Sequence, residues 1–72
     1  MTAEEWIGAF AKEIGATAPS PDEMNAILRL AGIAAHASER IAAPIACYLV
    51  GASGRSLAEA LQAAEGLSGP GS

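Results

Sequence analysis

Several residue types are scarce in this sequence, and each scarcity excludes a class of function. There is one cysteine, Cys47, and one histidine, His36. A disulfide framework needs paired cysteines, and a small secreted domain usually carries several. A protein metal site also needs more than one Cys and one His. Bases are few: Lys12, Arg29, Arg40 and Arg55 stand against eight acids, for a net charge of -4. Nucleic-acid binding rests on a basic stripe that displaces counterions from phosphate, and four scattered bases supply none. The same count argues against a basic amphipathic membrane helix. No apolar run approaches the ~20 residues of a membrane span. The opening Met1-Thr2-Ala3-Glu4-Glu5 is acidic, where a targeting peptide is basic. The expected setting is cytoplasmic and reducing.

Aromatic residues are scarce too, limited to Trp6, Phe10 and Tyr48. Hydrophobic residues make up 51% of the 72, but 18 of them are alanine. Nineteen larger apolar side chains remain, which is marginal for a monomer of this length. The length allows one domain and is too short for a nucleotide-binding α/β fold. The small core predicts that burial is completed against a second copy or a larger protein.

What is abundant is helix signal. Thr2-x-x-Glu5, Ser20-x-x-Glu23 and Ser56-x-x-Glu59 are three capping boxes. Each precedes apolar residues at helical spacing. No alternating β pattern of useful length occurs. The reading is all-α, a compact bundle of about four short helices over 3–14, 21–40, 44–53 and 57–65. The single helical domain spans 1–66, and 67–72 form a flexible C-terminal tail.

In the first helix Trp6, Phe10 and Ile14 form one stripe, with Ile7 and Ala11 alongside. Gly15 is placed as a left-handed cap. Pro21 opens the second helix, and Asp22 and Glu23 complement its positive end. Its expected core face is Met24, Ile27, Leu28, Ala31, Ala34 and Ala35. The small residues from Ala31 to Ala37 leave room for another helix to approach closely. Ile41 to Ala43 read as a bend, since Pro44 disfavours helix at Ala43. Pro44 then starts the third helix, which carries Ile45, Tyr48, Leu49 and Ala52. Gly51 and Gly54 soften its end. The fourth helix packs through Leu57, Ala60, Leu61 and Ala64, and Gly66 stops it.

The candidate sites each have two readings. His36, Glu39 and Arg40 are near neighbours at the end of the second helix. They either grip an anionic group or a partner chain, or they stabilise a helix C-terminus. Gly51-Ala52-Ser53-Gly54-Arg55-Ser56 precedes a helix, so Arg55 and Ser56 either contact an anion or belong to an interhelical turn. It is not a P-loop, lacking the Gly-Lys-Ser/Thr ending. Cys47 lies in an apolar stretch as a small core or interface residue. Trp6, Phe10 and Tyr48 are anchors of a core or of a partner interface. No nucleophile–base pair occurs at a recognisable spacing, so no catalytic residue is assigned and no enzyme activity is expected.

A set of local motifs carries a family resemblance. They are Glu5-Trp6-Ile7 with Phe10 and Ile14-Gly15, then Pro21 with Glu23. Leu28-x-Leu30-Ala31 and Ala34-Ala35-His36-x-x-Glu39-Arg40 follow. Ala42-Ala43-Pro44-Ile45, Tyr48-Leu49-Val50-Gly51 and Gly54-Arg55 complete them. Their order resembles a small helical domain family, mainly actinobacterial, encoded beside or fused behind the molybdenum cofactor guanylyltransferase. The likeness covers roughly residues 4–55 and is most specific from His36 to Gly51. The tail after Arg55 departs from the family core. The resemblance implies a role in making molybdopterin guanine dinucleotide, or near molybdenum-dependent formate dehydrogenases. It does not imply guanylyltransferase activity, because that enzyme needs a nucleotide-binding α/β domain.

The expected function is therefore a non-catalytic accessory protein of molybdenum cofactor maturation or insertion. It would dock on a larger protein of cofactor synthesis or on a molybdenum enzyme, or associate with itself. His36, Glu39, Arg40, Trp6, Phe10 and Tyr48 would make the contacts. A rival is a small structural subunit of a molybdenum- or tungsten-dependent formate dehydrogenase or related oxidoreductase. A second rival is a phosphate- or pterin-binding module using Arg40, Arg55 and the turn to Ser56. No resident cofactor or metal is expected.

Overall fold

The computed structural model describes residues 1–68. They form α1 (Ala3–Glu13), α2 (Pro21–Ala37), α3 (Ala42–Ser53) and α4 (Leu57–Leu67), a small all-α bundle. Three of these helices start as their capping boxes predict. The Glu5 N–H donates to Thr2 Oγ1 at 3.1 Å, and the Thr2 N–H donates to Glu5 Oε1 at 2.7 Å. Ser20 and Glu23 repeat the exchange at 3.2 and 2.8 Å. Ser56 and Glu59 do so at 3.1 Å in both directions. Each exchange satisfies two N–H groups that the helix leaves without partners.

Helix ends follow the local chemistry and correct four expected boundaries. Gly15 has φ +74° and closes α1. Its N–H donates to the Lys12 carbonyl, and the Ala16 N–H donates to the Ala11 carbonyl at 2.8 Å. That is the double bond of a Schellman cap. The second helix stops at Ala37 rather than Arg40. Ser38 turns its hydroxyl and its N–H onto the Ala34 carbonyl, at 2.9 and 3.2 Å, and leaves helical geometry. Local side-chain bonding of this kind competes with helix continuation.

The third helix starts at Ala42, two residues before Pro44. Pro44 falls in the first turn, where its missing N–H would have had no intrahelical partner. The Ala42 and Ala43 N–H groups donate to the Glu39 and Arg40 carbonyls and wind the entry turn. Gly54, with φ +74°, ends α3 sharply rather than softly. Helix α4 runs through Gly66 to Leu67, and Ser68 caps it by donating to the Ala64 carbonyl. Of the expected tail, Leu67 is helical and 69–72 lie outside the described residues.

Helix α2 is the hub. Both α3 and α4 pack on it, while α1 makes no comparable contact with another helix. An Arg29–Glu65 ion pair joins α2 to α4. Among the described residues only Leu30 and Ala11 are buried, at 4% and 8% exposure. Of the expected α2 stripe, Met24, Ile27, Ala31, Ala34 and Ala35 are half-buried, and only Leu28, at 63% exposure, lies off the packed side, which centres on Leu30. The small residues from Ala31 to Ala35 are half-buried. They lie in the helix on which α3 and α4 pack, so much of that small face is used within the chain.

Helix α3 turns its small residues inward. Its inner side is Ala42, Ala43, Ala46, Cys47 and Val50, all half-buried. Ile45, Tyr48 and Leu49, the large apolar residues read for this helix, are exposed with Ile41. Small side chains on both α2 and α3 allow their backbones to approach closely, and larger ones would hold them apart. The expected face of α4 is observed, with Leu57, Ala60, Leu61 and Ala64 all half-buried.

Candidate interaction surface

Two apolar stripes are left uncovered, one on α1 and one on α3. On α1, Trp6 and Phe10 stack with ring centroids 5.0 Å apart, and Ile14 continues the line one turn on. All three are exposed. Ile7, Gly8 and Ala11, on the adjoining side, are the more covered residues. The stripe exists because i, i+4, i+8 spacing stacks side chains along one face.

On α3, Ile41, Ile45, Tyr48 and Leu49 form the second stripe, and Tyr48 is 72% exposed. No charged residue occurs from Ile41 to Gly54. A helix apolar on every side is normally buried on every side. This absence of charge was the sequence signal for Ile41, Ile45 and Leu49 as surface anchors, and a search for one packing face passes over it. Ile14 and Leu28 were likewise missed as exposed anchors.

The polar trio at the end of α2 does not assemble as expected. His36 stays on the last helical turn, but Glu39 and Arg40 fall in the turn beyond it. The helical i, i+4 relation between His36 and Arg40 is therefore lost. His36 lines a shallow depression with Gly32, Ile33 and Leu67. Glu39 lines another, with Ser38, Ile41 and Ile45. Glu39 thus borders the outer stripe of α3, whereas His36 faces the end of α4.

The turn before α4 is occupied by its own side chains. Ser56 Oγ accepts from the Glu59 N–H and donates to Glu59 Oε1 at 3.2 Å. The Arg55 guanidinium lies 3.9 Å from the Glu59 carboxylate. Ser53 Oγ donates to the Val50 carbonyl and accepts from the Arg55 N–H. The Arg55, Ser56 and Glu59 backbone N–H groups are thus engaged locally. Gly51, Ala52 and Ser53 belong to α3 rather than to a loop.

Beside this turn lies an open cleft of about 350 Å³ between α2, α3 and the start of α4. Ile27, Leu30, Cys47, Val50 and Leu57 make it apolar, and Arg55 stands at its edge. Cys47 is half-buried and unpaired as a thiol. At the other end of the molecule, Thr2 holds the Glu5 carboxyl below its usual range, chiefly through its backbone N–H and then through its side chain. That carboxylate serves as a helix cap.

Among the described residues, no group of three His, Cys, Asp or Glu side chains is placed to hold a metal ion. Among the same residues, no helix is long and apolar enough to cross a membrane.

No curated protein and no solved structure matches the chain. A family model does, over residues 1–69, and nearly the whole sequence lies within it. A small all-helical domain with exposed apolar stripes on α1 and α3 therefore belongs to DUF6457, a domain family of unknown function.

Proposed function

We propose that the chain is a non-catalytic helical accessory module of molybdenum cofactor maturation or insertion that acts by docking. One observation carries the docking part: Trp6, Phe10 and Ile14 on α1, and Ile41, Ile45, Tyr48 and Leu49 on α3, are exposed together. Stripes of exposed large apolar side chains mark interaction sites in folded proteins. Large aromatic side chains are the usual energetic centres of such interfaces. Glu39 and Arg40, beside the α3 stripe, would form part of the polar rim, with His36 contributing from the end of α2.

The molybdenum part rests on the motif likeness from His36 to Gly51 alone. In this reading the chain works in the cytoplasm, where a lone thiol such as Cys47 stays reduced. The test is affinity capture of the tagged chain from its native host, with bound proteins identified by mass spectrometry. Recovery of a cofactor-synthesis protein or a molybdenum enzyme supports the proposal. Capture that yields neither counts against it.

A further inference from the structure

The chain exposes more surface than a compact monomer of its mass. Such a monomer exposes about 4,100 Å². This chain exposes 5551 Å². The surplus, about 1,400 Å² summed over the whole chain, leaves room for the ~800 Å² that each partner contributes to a standard interface.

The two stripes are also matched to each other. Trp6 to Ile14 and Ile41 to Leu49 both cover nine residues, or about 12 Å of helical rise. The α3 stripe carries no charge that would select a charged partner. The α1 stripe offers aromatic and branched apolar groups of the same kind. Within one chain α1 and α3 do not cover each other, since α1 has no substantial helix partner.

We infer that the occupant of both stripes is a second copy of this chain, with α1 of each copy lying across the outer face of α3 of the other. This deepens the docking reading: it rests on the same exposed stripes and names a second copy, rather than a larger protein, as what covers them. Two-fold exchange is closed: each copy gives one α1 stripe and receives one, so neither stripe remains to recruit a third copy. Phe10 and Tyr48 are the central side chains of their stripes and sit at the middle of each contact. The ends of α2 and α4, with His36, are left for the larger protein of the docking reading.

The experiment is a solution mass measurement by light scattering across micromolar concentrations, at low and high salt. The expected mass is twice the 7.2 kDa of the chain. It should persist at high salt, since apolar burial is not screened. Phe10→Glu and Tyr48→Glu should each return the monomer mass, with circular dichroism reporting retained helix. If either variant unfolds, cross-linking decides. In a Cys47→Ser background, a chain carrying Phe10→Cys is mixed with a chain carrying Tyr48→Cys and oxidised.

Disulfides between the two unlike chains are expected. Disulfides only between like chains overturn the exchanged arrangement. A monomer mass throughout the range overturns the dimer, as does a chain with both substitutions that closes only within itself. Neither outcome touches the docking reading, which stands or falls on the capture experiment. Conversely, a dimer that captures no molybdenum protein leaves this inference in place and removes the other.

Discussion

Single residues set where the helices begin and end, and two glycines separate the local effects. Gly15 holds φ +74°, and a Cβ added there would meet nothing within 4 Å. The cost of Gly15→Ala is therefore conformational alone, about 1–2 kcal/mol. Gly66 sits inside α4, outside the left-handed region, and also has open space around it. Gly66→Ala should stabilise by up to about 1 kcal/mol, because glycine is a poor helix residue. Denaturant melts of the two variants should move in opposite directions. The sequence signals for these two glycines look alike, which is why Gly15 was legible as a stop and Gly66 was misread as one. What distinguishes them is the bond the next residue makes, and Ala16 reaches back to Ala11.

The capping carboxylate of α1 gives a pH effect of definite sign. The folded value of Glu5 is depressed by its Thr2 partners. A depressed carboxyl contributes stability above its unfolded-chain value, about 4.3, and loses it as pH falls through the lower folded value. Acid should therefore loosen the first turn of α1, and the Glu5→Gln variant should lose that part of the response. Helical ellipticity followed from neutral to acid pH, for the parent and Glu5→Gln side by side, checks this. Equal acid profiles for the two would remove the cap as its source.

At the scale of the element, α3 shows what periodicity does and does not decide. Capping boxes located α1, α2 and α4 because they are specific bonding patterns with one geometric solution. No such device marks α3, whose entry is wound by the Glu39 and Arg40 carbonyls instead. Its facing was not legible either. A stretch free of charge has apolar residues at every angle, so the large ones look like the core side. The structure gives that place to Ala42, Ala43 and Ala46, because small residues let α3 settle on α2. A substitution pair tests the assignment. Ala43→Leu inserts bulk on the covered side of α3 and should cost about 1–3 kcal/mol. Tyr48→Ser, on the open side, should stay within about 0.5 kcal/mol when measured at high dilution. If Tyr48→Ser proves the costlier change under those conditions, the face assignment is wrong.

The whole molecule is extended for its length, with dimensions of 41 × 24 × 19 Å and a radius of gyration of 13.0 Å. That radius is typical of a compact domain nearer 100 residues. The opening scarcity of large apolar side chains predicted incomplete burial, and only Leu30 and Ala11 are buried among the described residues. Scarcity in composition reveals that a core is thin, but not which helix goes without one, because that depends on which faces meet. Here α2 gathers α3 and α4, and α1 is held mainly by its own caps. Helices of this length are marginal in water when nothing packs on them. Opening of α1 should therefore be local and cost less than global unfolding. Amide hydrogen exchange should show α1 exchanging well ahead of α2 in dilute solution. If a second copy covers Trp6, Phe10 and Ile14, protection of α1 rises with protein concentration, since binding only the folded form stabilises it. The interior of α2, already packed on two sides, should change far less. Exchange in α1 that is slow at every dilution would mean that α1 is held within its own chain, contrary to the packing described above.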